Sequence, residues 1–162
     1  MQLHTRKSAG FTLIELIVTM TILVIVLTIA APSFRSLILS QRIKTTSYEL
    51  FSALNYARSE AVKRNDNVTL RAGATSDGAW GTGWRVEDSS NNVLRTWSAL
   101  SNLTLTENGS NATTLTYGIN GRLTSTAPKF QISSSSTVTG VTSRCIQVDL
   151  SGRPSTQIGD CP

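Results

Sequence analysis

Histidine is almost absent from this 162-residue chain; the single copy, His4, lies at its N-terminal end. Cysteine occurs twice, and Trp, Tyr and Phe together supply only 6% of the residues. With one histidine, the body of the chain lacks the commonest general base and metal ligand. No His/Cys/Asp/Glu cluster has metal-ligand spacing, and no glycine-rich phosphate loop follows a strand. The carboxylates are scattered and mostly sit beside turns. These absences argue against an enzyme and against a bound cofactor or metal. Scarce aromatics, with a middle and end rich in Ser, Thr, Asn and Gly, exclude a large enzyme with a deep pocket. They fit one small, turn-rich β domain with an N-terminal extension.

Charge of either sign is also modest. The formal net charge is +5, and Arg6 and Lys7 belong to the first ten residues. Without those two, 13 basic residues face 10 acidic ones, a net +3. Such a charge permits contact with nucleic acid but does not demand it. The two cysteines, Cys145 and Cys161, lie 16 residues apart near the C-terminus. That separation suits a disulfide closing a terminal loop, worth about 3 kcal/mol in the chain-entropy model. A disulfide implies an oxidising compartment; two free thiols are the alternative. Asn-x-Ser/Thr matches at Asn67, Asn102, Asn108 and Asn111 are read as composition.

What the chain has in abundance is one apolar run. From Phe11 to Ala31 the only charge is Glu15, and Arg6 and Lys7 precede the run. As a helix it spans about 30 Å, the thickness of a bilayer core. The basic flank favours the cytoplasmic side. A discarded secretory signal peptide is opposed by Glu15 inside the run and by the lack of a good small-x-small cleavage site. A plain membrane anchor is a second alternative. A carboxylate in the bilayer costs about 2.5–3.5 kcal/mol and calls for a partner.

The string Gly10-Phe11-Thr12-Leu13-Ile14-Glu15-Leu16 resembles the class III leader of type IV pilins and type II secretion pseudopilins. The resemblance implies a leader at 1–10, cleavage after Gly10 by a prepilin peptidase, and N-methylation of Phe11. It also implies that Glu15 acts in assembly, pairing with the Phe11 amine of a neighbouring copy. The subunit would stand in the inner membrane as a single-pass protein. It would then join other major and minor pilins in an extracellular or periplasmic filament.

Pro32 falls within the helical pattern and is expected to kink or loosen it. Beyond it, Ile43, Leu50, Leu54, Ala57 and Ala61 recur on one face, with Glu60 and Arg64 as an i,i+4 pair. The pattern predicts a transmembrane or filament-core helix over 11–32 and an amphipathic helix over 33–66, ending at Asn65-Asp66-Asn67. After Asn67 the period becomes two. Strands are expected at Val68–Arg71, Trp84–Glu87, Val93–Trp97, Leu103–Thr106 and Thr114–Tyr117. Further strands are expected at Arg122–Thr124 after the Asn120-Gly121 turn, at Lys129–Ser133 and at Arg144–Leu150. The fold class is α+β, a long helix packed on an antiparallel β-rich head at 67–162.

Two stretches narrow the resemblance. Tyr56-Ala57-Arg58-Ser59-Glu60-Ala61-Val62-Lys63-Arg64-Asn65 and Trp80-Gly81-Thr82-Gly83-Trp84 resemble the minor pilin and pseudopilin group named GspH, FimT or FimU. The tryptophans read as core packing, with a carbohydrate platform as the sharper alternative. In the FimT branch a Gly-Arg stretch near the C-terminus resembles a DNA-binding element used in transformation. Here Gly152-Arg153 is present, and Ser155 stands where another basic residue would strengthen the pattern. Arg144, Arg153, Arg122 and Lys129 are the candidate DNA contacts; a solvated turn pinned by the disulfide is the alternative. The resemblance thus implies a minor pilin that helps initiate assembly near the tip. A DNA-binding pilin and a type II secretion pseudopilin are the other readings.

Overall fold

The computed structural model describes residues 10–74 and 77–162, so the expected leader residues 1–9 lie outside it. The chain divides into two compact units, Met1–Arg35 and Ser36–Pro162. One helix, α1, spans Leu13–Arg64. It starts two residues later than the apolar run because Thr12 caps it. The Glu15 amide donates to Thr12 Oγ1 at 3.2 Å, and the Thr12 amide donates to Glu15 Oε2 at 3.5 Å. This is a capping box, satisfying two amides that the helix ladder leaves free. The helix continues through position 32. Proline there removes one backbone hydrogen bond and leaves the ladder on either side intact.

In the first unit the large apolar side chains from Phe11 to Ile29 are all exposed. The helix is long and apolar enough to cross a membrane. An all-round apolar surface needs lipid or other helices to cover it.

In the second unit α1 becomes one-sided. Ile43, Leu50, Leu54, Ala57 and Ala61, the predicted face, are buried, joined by Ala53. The alanines keep the ridge low, so the β layers approach closely. The helix ends as the sequence foretells: Asn65 takes φ 53°. The Asn65 amide reaches the Val62 carbonyl at 3.4 Å and the Asp66 amide reaches that of Ala61 at 3.2 Å. That pair of bonds is a Schellman cap.

The head has eight strands, β1 (Val68–Ala72), β2 (Trp84–Asp88), β3 (Val93–Trp97), β4 (Leu103–Asn108), β5 (Thr114–Tyr117), β6 (Lys129–Ser134), β7 (Arg144–Val148) and β8 (Pro154–Ile158). They form two four-stranded antiparallel sheets, ordered β3-β2-β1-β5 and β4-β6-β7-β8. Alternation is strict on β1, whose Val68, Leu70 and Ala72 are buried while Thr69 and Arg71 are half-exposed. One core unites the helix face with both sheets. Trp80, on a 3-10 turn at Trp80–Thr82, meets Phe130 of β6 edge-on at 4.8 Å between ring centres. Its indole N–H donates to the Ala112 carbonyl at 2.9 Å. Trp84 is fully buried and stacks against Trp97.

Two expectations need correction. The strand expected at Arg122–Thr124 is only a bridge between Tyr117 and Leu123. The Asn120-Gly121 turn forms, with Gly121 donating to Gly118 at 2.8 Å, but Leu123 then dips into the core and the chain leaves the sheet. Conversely, Pro154–Ile158 is a strand and not a turn. It is an edge strand, and proline is its first residue, where a missing amide costs the ladder least.

Candidate functional site

At the helix start, Gly10 and Phe11 precede the first helical residue, so the bond between them lies outside the hydrogen-bonded ladder. Phe11 is 82% exposed, and a Cβ built on Gly10 would meet nothing within 4 Å. A peptidase can therefore reach the bond without unwinding the helix. Glu15 sits four residues on, its carboxylate turned back toward Thr12 by the capping box. Among the described residues it forms no ion pair. A carboxylate held at a helix N-terminus without a cation is disposed to accept an ammonium group from outside the chain.

At the other end of the chain, Cys145 on β7 is joined to Cys161 by a disulfide, with Cα atoms 5.1 Å apart. The tail is held by polar contacts as well. The Cys161 amide donates to Gln131 Oε1 at 2.7 Å, and Gln131 Nε2 donates to Asp160 at 2.7 Å. Ser143 donates to the same Asp160 oxygen at 2.6 Å. The tail therefore crosses β7 to reach β6.

The four candidate DNA contacts do not form one cluster. Arg144 pairs in register with Ile158, at one end of the β7–β8 hairpin, and Val148 pairs with Pro154 at the other. Arg153, just before Pro154, is thus about 13 Å of strand from Arg144. Arg153 shares a recess with Lys129 and Asp149. Lys129 is already engaged, its ammonium donating to the Pro162 carbonyl at 2.8 Å. Asp149 accepts from the Ser151 hydroxyl and the Arg153 amide, which hold its carboxyl below the usual carboxylate range.

Arg122 does approach Arg153 through their preceding glycines. Gly152 has φ +80°, and a Cβ there would fall 2.2 Å from the Gly121 carbonyl oxygen. The two Gly-Arg turns therefore abut. A Cβ on Gly121 would in turn lie 3.2 Å from Arg58 Nε on α1. Arg58 was not legible as a site residue, because helical periodicity marks it only as a cation off the apolar face. The remaining buried ionic group is structural. Glu87 accepts from Arg71 at 2.9 Å and from Arg85 at 2.5 Å, bridging neighbouring strands. Burial pushes its carboxyl up, and the two guanidinium groups more than reverse this and hold it below the ordinary value.

A family model described as type II transport protein GspH matches residues 47–152, and one for the prokaryotic N-terminal methylation motif matches residues 5–31. No curated protein matches the chain. Among solved structures, the type IV minor pilin FimU of Pseudomonas aeruginosa is similar at 27% identity. That match covers 72% of this chain and 89% of FimU, with a TM-score of 0.61. A second crystal form of FimU gives 28% identity, coverage of 70% and 91%, and a TM-score of 0.59. The minor pseudopilin EpsH of the Vibrio cholerae type 2 secretion system shares the fold at 12% identity. Coverage there is 72% of this chain and 96% of EpsH, with a TM-score of 0.54.

Proposed function

The chain belongs to the GspH family of minor pilins and pseudopilins, and from that premise we propose that it is a minor pilin of the type IV pilus that helps initiate assembly near the filament tip. The likeness to FimU, at more than twice the identity of the likeness to EpsH, carries this reading. The exposed Gly10–Phe11 bond supports the first step, cleavage by the prepilin peptidase and methylation of the new Phe11 amine. The unpaired Glu15 supports the second. Its cost in lipid, about 2.5–3.5 kcal/mol, is offset when a neighbour's Phe11 ammonium meets it. At 4 Å and an effective dielectric of about 20, that attraction is about 4 kcal/mol. The helices then bundle and cover the apolar surface of residues 11–31. The role is structural, with no catalytic step.

The test is a Glu15→Ala chain expressed in a strain lacking the wild-type copy. Mass spectrometry should show normal removal of residues 1–10, while electron microscopy shows few or no pili. Normal piliation would sink the assigned role of Glu15. Unchanged piliation when the whole gene is deleted, with loss of protein secretion instead, would favour the type II secretion reading that the family description also allows.

A second reading, DNA capture, is supported by the abutting Gly121-Arg122 and Gly152-Arg153 turns. Arg153→Gln should weaken retardation of a DNA fragment in a gel-shift; retardation equal to wild type would remove that turn from the idea.

A further inference from the structure

Arg58, Lys63 and Arg95 line a groove of about 700 Å³ in the head unit, on the solvent side of α1. Its floor carries Asn55, Tyr56 and Ser59, and Arg95 reaches in from β3. No carboxylate lines it. Lys63 lies 3.5 Å from Glu60, but Arg58 and Arg95 take part in no ion pair among the described residues. The Arg95 guanidinium carbon lies 4.8 Å from the centre of the Trp97 ring and 5.8 Å from that of Tyr56. Ring faces hold a cation in place without neutralising it.

The groove runs on into the two Gly-Arg turns. Val62 and Arg58, both on its wall, are the side chains that a Cβ on Gly121 would meet, at 3.1 and 3.2 Å. The Gly152 turn abuts Gly121. Arg95, Arg58, Lys63, Arg122 and Arg153 therefore follow one path. Those five cations exceed the whole net charge of +3 that remains beyond residue 10. The surface potential is concentrated along this path and not spread evenly over the head.

We propose that the helix groove seats the phosphodiester backbone of a nucleic-acid strand. The proposal rests on the second reading above and moves the principal contacts from the C-terminal turn to α1 and β3. From Asn55 to Lys63 the helix rises about 12 Å, room for about three phosphates of one strand. Guanidinium forks match phosphate oxygens, and hydroxyl and amide donors between them supply the remaining bonds. An acidic protein segment is the competing occupant.

The test uses the full chain in neutral detergent micelles and a fluorescein-labelled single-stranded 15-mer, read by anisotropy. With three phosphate contacts, affinity should fall about 18-fold between 50 and 200 mM salt. The double variant Arg58→Gln/Arg95→Gln should bind at least about tenfold more weakly at 50 mM and lose only about threefold over the same salt range. Arg95→Lys, which keeps the charge, should hold the wild-type slope, and Lys63→Gln at the exposed helix end should lower it by about 0.7; these two variants decide the matter if the double variant misfolds. Wild-type affinity and slope in all the charge-removing groove variants would overturn the proposal. If Arg153→Gln then abolished binding, the second reading would survive without the groove. No binding by the wild-type chain would remove both. Displacement of the strand by poly-glutamate at equal charge concentration would assign the groove to an acidic protein and overturn it as well.

Discussion

Replacing Gly152 by alanine separates two costs that a glycine can hide. Gly152 and Gly140 have almost the same backbone, with φ of +80° and +82°. An L side chain in that left-handed region costs about 1–2 kcal/mol at either place. Their surroundings differ. A Cβ on Gly140 would meet nothing within 4 Å, whereas one on Gly152 would lie 2.2 Å from the Gly121 oxygen and 3.0 Å from Tyr117 Cε1. Tyr117 is fully buried and cannot swing away. The turn must therefore lift off the Gly121 loop, which adds about 1–3 kcal/mol as overpacking. For a domain of this size, 1 kcal/mol corresponds to about 4 °C in Tm. Thermal melts of the purified chain should place Gly152→Ala about 4–12 °C below Gly140→Ala, itself only slightly below wild type. Equal melting temperatures for the two variants would refute the claim that close approach, and not φ alone, demands glycine at 152.

Two further outcomes follow from the ionic and covalent links. The Glu87 carboxyl is held below its ordinary value of 4.5, so its contribution is complete above that pH and is lost as pH falls through the lower, folded value. Urea melts should show Glu87→Gln about 3 kcal/mol less stable at pH 7, because two buried guanidinium groups lose their anion, and the gap should narrow in acid. A gap that widened on acidification would contradict the assigned direction. Cys161→Ser should cost about 3 kcal/mol and release the tail from Gln131, and a reducing agent should do the same to wild type but not to the variant. A variant as stable as wild type would show that the polar contacts alone hold the tail.

Much of this fold is legible in the sequence, and the failures have physical causes. The capped end of α1 follows from Asn65, and β3 and β5 have the expected bounds because β-branched and aromatic residues stop at clear turn residues. The strand β8 was hidden because Pro154 reads as a breaker, and only the edge position makes it harmless. Arg122–Thr124 misled in the opposite way. A strong Asn-Gly turn forms there, but pairing beyond it loses to burial of Leu123. The division into two sheets is a long-range property that no local period encodes. At the candidate sites, the Gly10-to-Glu15 motif and the Cys145–Cys161 pair are local or nearly so and were readable. The partition of the cations was not, since Arg58, Arg95, Arg122 and Arg153 meet only after the helix, β3 and two turns have packed.

The Cys145–Cys161 bond encloses the whole β7–β8 hairpin in a covalent ring. A backbone cut anywhere in the turn between Val148 and Pro154 opens that ring but releases neither strand. The nicked chain would migrate at its full mass until reduced, and β8 would remain paired along β7 through the register that the ring preserves. The hairpin that presents Arg153 is thus built to survive proteolytic damage at its own tip.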